Sequence, residues 1–267
     1  MMDDVNKQLP VIDILKSTYS CLFNNIKAFL ILSYSVMAPI YAVNYFLAID
    51  INQQQEFSAQ IIFYSLFILL IMLILSIFLY RLFMLGANHH LKLSMAEMTN
   101  IFSKTFIYSL ALFFVIFLTI LCIALLFGLM VSIINATAGD GALNKEIIGT
   151  IIKAIIMGFA LIVVLRTQPT FISIALKDEM IPMKSAYYYT RDNNVRLLII
   201  GLLSYMPIMA LSATAIMLDH SLSENLDRFL SFVISPLNLM PYALLLSAGA
   251  QTYKYFLTAS KEYSDIK

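Results

Sequence analysis

The stretch IIFYSLFILLIMLILSIFLY, residues 61–80, decides the fold class of this chain. It contains twenty residues and no charged side chain. As an α-helix rising about 1.5 Å per residue it would be roughly 30 Å long, the thickness of the hydrocarbon core of a bilayer. In the whole chain 61% of the residues are hydrophobic and 12% are charged, whereas soluble domains carry about 25% charged residues. The sequence therefore predicts an integral membrane protein.

Further apolar runs bring the number of predicted spans to six. The runs are continuous rather than alternating, and helices satisfy their own backbone hydrogen bonds in lipid. We therefore predict an all-α polytopic membrane protein, with one transmembrane domain over residues 1–267 and six transmembrane helices arranged as three hairpins. The predicted spans cover residues 28–48, 61–80, 106–135, 147–165, 197–218 and 229–255.

The distribution of basic residues predicts the orientation of these spans. If the amino terminus lies in the cytoplasm, only Lys145, Lys153 and Arg228 of the 17 Lys and Arg residues fall on the outer side. The first outer loop, residues 50–60, then has no basic residue at all. Because short cytoplasmic loops are enriched in Lys and Arg, both termini are predicted to be cytoplasmic.

Two segments of the chain resemble each other, LKSTYSCLFNNIKAFLIL at residues 15–32 and MKSAYYYTRDNNVRLLII at residues 183–200. In each, Lys-Ser and a tyrosine precede an Asn-Asn pair, and a basic residue then heads an apolar run. A fainter copy, MAEMTNIFSKTFIYSL, covers residues 95–110. We predict three repeat-like units, which cover about residues 10–92, 93–179 and 180–260. Each unit has an amphipathic interfacial helix before its hairpin. The alternative is chance similarity between membrane sequences of poor composition.

The segments before the first and fifth spans have amphipathic periodicity. Pro10 and Pro182 suit the opening turn of a helix. In the second segment Lys184, Tyr188 and Arg191 line one side. We expect both helices to lie along the inner membrane surface. The polar stripe of the first segment, at spacings of three and four, consists of Asp13, Lys16, Ser17, Ser20 and Asn24.

The segments YRLFMLGANHHLKL (residues 80–93) and RTQPTFISIALKDEM (residues 166–180), with the basic-amphipathic stretch that follows, resemble those of the YciC-like bacterial inner-membrane proteins. They are also similar to the membrane domain of some glycerophosphodiester phosphodiesterases. The resemblance implies a six-helix protein of the bacterial inner membrane whose membrane part has no catalytic function. The chain has no soluble phosphodiesterase domain, so that activity does not carry over.

Basic residues near the predicted inner ends of the spans are the first candidates for a binding site. Together they would form a basic collar that holds anionic lipid headgroups, at about 1 kcal/mol per cation. The alternative interpretation for Arg81 and Arg166 is that their side chains only extend toward the inner headgroups and fix the orientation of the spans. The collar consists of Lys16, Lys27, Arg81, Lys104, Arg166, Lys184, Arg191 and Arg196.

Prolines and polar residues in or near the spans are the second group of candidates. Pro39, Asn44, Pro207 and Gln251 are expected either to flank a small polar cavity or to act in kinks and interhelical hydrogen bonds.

No catalytic residue or motif is recognisable in the sequence. His89 and His90 point about 100° apart on a helix and have no ligand at metal-binding spacing, so a polar turn is the better interpretation. Cys21 and Cys122 are expected to be small buried hydrophobes rather than a disulfide. We expect no metal, no cofactor and no nucleic-acid partner. The candidate partners are membrane lipids, including anionic ones, and a membrane protein.

Two functions remain open at this stage. The first is a non-enzymatic envelope protein that acts through lipid contact or as a scaffold for partner proteins. The second is a facilitator, or the membrane subunit of a transporter, with a cavity between the hairpins. The acidic residues lie at span ends and in loops, which disfavours a proton-coupled pump. A membrane-embedded enzyme is the least favoured class.

Overall fold

The computed structural model describes residues 8–47, 59–138, 145–177, 181–218 and 224–265. Within these ranges the chain is helical and contains no strand. A turn of 3-10 helix, Arg191–Asn193, lies between the sixth and seventh α-helices. The α-helices are α1 (Val11–Asn24), α2 (Ile26–Leu47), α3 (Ala59–Leu85), α4 (Met95–Ala138), α5 (Lys145–Leu176), α6 (Met183–Tyr189), α7 (Asn194–Leu218) and α8 (Glu224–Asp265).

Among the residues that the structure describes, four helices are long and apolar enough to cross a membrane. Their apolar segments are Ile26–Val43 in α2, Phe63–Leu85 in α3, Met95–Met130 in α4 and Gly149–Leu176 in α5. The prediction of an all-α chain with membrane-crossing helices is confirmed to this extent. The fifth and sixth predicted spans fall on α7 and α8, where many side chains lie outside the described part of the structure.

Three helices, α3, α5 and α8, contact one another at the centre of the bundle. The other long helices surround them: α2 contacts α3 and α8, α4 contacts α3 and α5, and α7 contacts α5 and α8. Leu75 and Leu79 of α3, Ile172 of α5, and Ala243 and Leu244 of α8 are buried in the shared core. Each outer helix thus fills the space between two central helices.

The exposed surface of α4 is apolar and indicates an apolar medium on this side of the bundle. Phe113, Phe114, Val115, Phe117 and Leu118 are all exposed. Since successive residues of a helix point about 100° apart, these five side chains cover an arc of about 200° around α4. An apolar surface of this width is stable in a core or in a membrane, and here the described residues leave it exposed.

The amphipathicity predicted for α1 is confirmed. Ile14, Thr18 and Leu22 are buried, while Lys16 and Ser20 on the predicted polar stripe are exposed. The buried face packs against α7 and α8. Consequently α1 joins the beginning of the chain to its last two helices.

At both predicted Asn-containing hinges one helical element ends and the next begins. Asn25 separates α1 from α2, and its side-chain amide donates a 2.8 Å hydrogen bond to the carbonyl oxygen of Cys21. Carbonyls in the last turn of a helix otherwise lack partners. At the second hinge the 3-10 turn ends at Asn193, whose buried side-chain oxygen accepts a 3.0 Å hydrogen bond from the backbone N–H of Leu9.

The interfacial helix expected before the third span is not a separate element. α4 runs without interruption through that segment and into the apolar region. When Lys104 is aligned with Lys27, Ile101 and Phe102 replace the Asn pair. Ile101 is buried, and Phe102 stacks on Phe106 with ring centroids 6.2 Å apart. These side chains pack into the bundle instead of capping a helix end.

The fourth predicted span is too short, because α5 continues to Leu176 rather than ending near Leu165. Pro169 lies inside the helix without ending it. The segment around it is buried, including Thr167 and Ile172, so packing compensates for the missing backbone hydrogen bond. The residue after the helix, Lys177, has a φ of 60°, a conformation typical of this position.

Candidate functional site

Several side-chain contacts hold helix ends together on one face of the bundle. Lys177, after α5, forms an ion pair with Glu97 in the first turn of α4. Lys254 of α8 donates a 3.0 Å hydrogen bond to the carbonyl oxygen of Phe83, near the end of α3. We call this face the basic end; it contains the carboxyl ends of α3 and α5 and the amino ends of α4 and α7.

Arg81 is buried at the basic end, with 5% of its surface exposed. Its Nε donates to the carbonyl oxygen of His90 (3.0 Å) and its Nη1 to that of Ala175 (2.9 Å). Its Nη2 lies 3.5 and 3.4 Å from the carbonyl oxygens of His89 and Lys92. These bonds tie α3 and the turn after it to the end of α5. Since the donors are engaged inside the protein, the headgroup hypothesis has to rest on other cations.

Arg166 joins α5 to α6 in a comparable way. Its Nε donates to the hydroxyl oxygen of Thr190 (3.0 Å), and its Nη2 donates to the carbonyl oxygen of Tyr187. The guanidinium carbon lies 4.0 Å from the centre of the Tyr187 ring, which is cation–π geometry. One of the three consecutive tyrosines therefore positions an arginine of the preceding helix.

Arg196 fixes the segment before α1. Its Nη1 donates to the carbonyl oxygen of Leu9 (3.0 Å), and its Nη2 bonds to the side-chain oxygen of Gln8. The hydroxyl of Tyr255 donates a 3.3 Å bond to the backbone carbonyl of Gln8. Leu9 itself is buried. Arg196 thus holds the first described residues against α7 and α8.

The other predicted collar residues keep their side chains exposed. Among the described residues, the structure places no carboxylate in an ion pair with any of them. They are therefore the cations available to an anionic ligand. This group, called the exposed cations below, consists of Lys16, Lys27, Lys104, Lys184 and Arg191.

A groove of about 410 Å³ opens at the basic end, between the polar stripe of α1 and the later part of α8. Two ammonium groups line it, one from each helix, and hydroxyl and amide groups complete the wall. No Asp or Glu is among the lining residues. The lining consists of Lys16, Ser17, Ser20, Cys21 and Asn24 from α1 and Gln251 and Lys254 from α8.

The groove borders the carboxyl end of α3. The Cys21 sulfur lies 3.6 Å from the carbonyl oxygen of Phe83, the same oxygen that accepts the bond from Lys254. Carbonyls at this end of a helix carry partial negative charge, which favours a cation beside them. Burial raises the pKa of the Cys21 thiol, and the nearby charge of Lys254 opposes that increase.

Both cysteines are free, as predicted, but neither is buried to the extent expected. Cys21 is half-buried in the groove wall and Cys122 is exposed on α4. Lys254 is among the basic residues predicted to lie on the inner side, but it was not assigned to a site. It follows Gln251 by three residues, so both side chains lie on the same side of a helix, a spacing that indicates a shared position in the groove wall.

Of the four predicted cavity residues, the structure describes the side chains of two, Pro39 and Gln251. Pro39 lies inside α2 and is exposed. The side chains of Asn44 and Pro207 lie outside the described part of the structure. Gln251 does line a groove, but one formed with α1.

The two adjacent histidines lie in the turn after Gly86, as predicted. Gly86 has a φ of 80°, which allows the chain to leave α3. His90 is buried with its Nδ1 2.7 Å from the carbonyl oxygen of Ala87. In the described ranges, no three His, Cys, Asp or Glu side chains are grouped so that they could hold a metal ion.

In the part of the chain that the structure describes, the fold and the site together define an all-helical protein with four helices long and apolar enough to cross a membrane and a basic end that carries a polar groove. No family model, curated protein or solved structure matches the chain. Its function therefore has to be inferred from its own residues.

Proposed function

We propose that the chain is a non-enzymatic integral membrane protein that binds anionic lipid headgroups at its basic end, as a lipid-associated protein or scaffold of the bacterial inner membrane. The observation that supports this most is the position of the exposed cations. Lys27 is the second residue of α2, Arg191 lies three residues before α7, and Lys184 lies in α6, the short helix that precedes α7. These cations thus lie at or before the start of an apolar helix, a position that in a membrane protein favours contact with lipid phosphates.

The proposed topology has six spans in three related hairpin units, with the basic end and both termini in the cytoplasm. The contacts of α2, α4 and α7 support it, because each packs against one central helix of its own unit and one of another unit. Spacing supports it too: Arg81, Arg166 and Gln251 follow one another at intervals of 85 residues. Two of these side chains reach a backbone carbonyl of the next proposed unit.

Lipid retention in native mass spectrometry tests the proposed function. The chain is purified with phosphatidylglycerol, and a variant with Lys27→Gln, Lys104→Gln, Lys184→Gln and Arg191→Gln is compared with it. We expect affinity to fall about fivefold for each cation in contact, which corresponds to ~1 kcal/mol. Lys153→Gln, an exposed lysine near the opposite end of α5, is the control and should retain lipid normally. Equal retention by all three proteins would contradict the proposal.

A facilitator is the second candidate, favoured by polar atoms buried between the helices. In the described ranges, the side-chain oxygens of Ser33, Gln168, Thr170, Ser204 and Thr252 are buried without a protein partner. Such atoms are usually hydrogen-bonded to protein or to ordered water. Solute flux into vesicles that contain the chain, and its loss in Ser204→Val, would favour this candidate over lipid binding alone.

A further inference from the structure

We infer that the groove between α1 and α8 is a binding site for one phosphate oxyanion, with Lys16 and Lys254 as its cations. The lipid form of this inference rests on the proposed function, because it names where a headgroup would be held. The other source of the same chemistry is a free phosphate or phosphate ester.

The charge of the groove favours an anion. Lys16 and Lys254 line the groove from two helices that pack together, so an anion in the groove would be attracted by both ammonium groups. No carboxylate among the groove's lining residues competes for either ammonium group. The partial negative charge at the end of α3 is opposed by Lys254, which bonds to the carbonyl oxygen of Phe83 at 3.0 Å.

The donors of the groove suit a tetrahedral oxyanion better than a planar carboxylate. Arginine binds both carboxylate and phosphate through two parallel hydrogen bonds, whereas lysine binds phosphate as a point charge. The lining residues include no arginine, so the groove lacks the planar donor pair that matches a planar carboxylate. Ser17 and Ser20 offer hydroxyl donors from α1 and Gln251 offers an amide from α8, so donors approach from two sides.

The groove is already formed before a ligand arrives. The Phe83 carbonyl holds Lys254 in place. α1 is held against α8 by the hydroxyl of Ser247, which donates a 3.1 Å hydrogen bond to the carbonyl oxygen of Thr18. Pre-positioned groups reduce the entropic cost of binding. The volume of about 410 Å³ exceeds that of a bare phosphate and leaves room for an esterified group.

The position of the groove makes a lipid headgroup an accessible ligand. Asn24, in its wall, lies two residues before Ile26, where the apolar helix α2 begins. A phosphodiester held by Lys16 could therefore leave its acyl chains beside α2. The groove is also open, so a soluble phosphate has access to it.

Cys21 reports on occupancy, because its sulfur belongs to the groove wall. The full chain with Cys122→Ser has Cys21 as its single thiol. It is kept in maltoside micelles, which contain no phosphate, and the rate of Cys21 alkylation by iodoacetamide is measured. Iodoacetamide is neutral, so a bound anion does not repel the reagent itself. The two arms add either inorganic phosphate or phosphatidylglycerol in mixed micelles.

We expect the alkylation rate to fall as one of these ligands saturates the groove. Protection by phosphatidylglycerol alone identifies a headgroup site, and protection by inorganic phosphate identifies a site for the free oxyanion. Lys16→Gln should raise the ligand concentration for half-protection about fivefold, the factor for ~1 kcal/mol. Lys153→Gln should leave it unchanged.

Two results would overturn the inference. One is an alkylation rate that neither ligand changes. The other is equal protection in Lys16→Gln and in the unsubstituted groove, which would mean that the surface potential of the micelle alone slows the reaction. The proposed function fails separately, because its variants change exposed cations outside the groove. If they still retain lipid normally while Cys21 is protected, the oxyanion site stands and the collar does not.

Discussion

The Nη1 of Arg81 donates a 2.9 Å hydrogen bond to the carbonyl oxygen of Ala175, although 94 residues separate them. The bond joins the ends of two central helices, α3 and α5. The same guanidinium donates to the carbonyl oxygen of His90, in the turn that leads to α4. One buried cation thus satisfies helix-end carbonyls that would otherwise lack partners.

Arg81→Met should destabilise the protein strongly. The substitution keeps an apolar stem but leaves the buried carbonyls of Ala175 and His90 without donors. We expect a loss on the order of 2 to 4 kcal/mol, because hydrogen bonds to charged groups are stronger than neutral ones and unpaired buried groups add their desolvation cost. The apparent melting temperature in micelles is the measurement.

Arg191→Met is the matched control for Arg81→Met, because Arg191 is exposed at the same end of the bundle. It should change stability by less than about 0.5 kcal/mol. If both variants have the same apparent melting temperature as the original chain, Arg81 does not hold α3 and α5 together.

Amphipathic faces and apolar helices were predictable because they depend on local spacing. The side chains of Ile14 and Thr18 are buried and those of Lys16 and Ser20 are exposed, as the periods of three and four indicate. The length of α5 was not predictable in this way. Arg166 and Pro169 look like the end of a span, and only contacts with α6 and α8 show why the helix continues.

The groove was beyond sequence reasoning for a different physical reason. Its two walls lie more than 200 residues apart in the chain, since Lys16 faces Lys254. No periodicity connects α1 with α8. The polar stripe of α1 and the polar Gln251 were recognised separately. The stripe was predicted to lie along the membrane surface, and Gln251 was predicted to flank a polar cavity. Tertiary packing brings them together.

Gly249→Ala should destabilise the contact between α5 and α8. A Cβ at Gly249 would lie 1.1 Å from the side-chain oxygen of Gln168. Gln168 is buried, and its amide donates a 3.3 Å bond to the carbonyl oxygen of Leu245, so it cannot move away freely. Overpacking of this kind costs about 1 to 3 kcal/mol. Thermal unfolding in micelles measures the loss.

Gly158→Ala is the control for the change at Gly249. A Cβ at Gly158 would meet no atom within 4 Å, and alanine in a helix is favoured over glycine by roughly 0.5 to 1 kcal/mol. This variant should be as stable as the original chain or slightly more so. Adding Gln168→Ala to Gly249→Ala should recover part of the loss. If the Gly249→Ala protein were as stable as the original chain, the Gln168 side chain could not lie so close to the backbone of Gly249.

The reactivity of Cys21 should depend on pH in a way set by Lys254. Burial raises the pKa of the Cys21 thiol, and Lys254 lowers it because a cation stabilises the thiolate. Thiolate is the reactive form. In the Cys122→Ser chain, the rate of alkylation should therefore increase with pH at higher pH values than it does for an unburied thiol. Lys254→Met should raise the pKa of Cys21 further and slow the reaction at any given pH below it.

Lys27→Met is the control for the pH profile, because it removes an exposed charge that does not line the groove. Its profile should coincide with that of the chain that carries Lys254. A Lys254→Met profile displaced toward lower pH would show that Lys254 does not stabilise the Cys21 thiolate.

The orientation of the chain can be measured with single cysteines in a background of Cys21→Ser and Cys122→Ser. Gln53→Cys lies in the first predicted outer loop, which has no basic residue. Asn88→Cys lies in the exposed turn after α3, beside the Arg81 site at the basic end. Since basic residues mark cytoplasmic loops, an impermeant maleimide should label Gln53→Cys in intact spheroplasts and Asn88→Cys only after permeabilisation. The reverse pattern would place the basic end outside and remove the cytoplasmic leaflet as the source of its ligand.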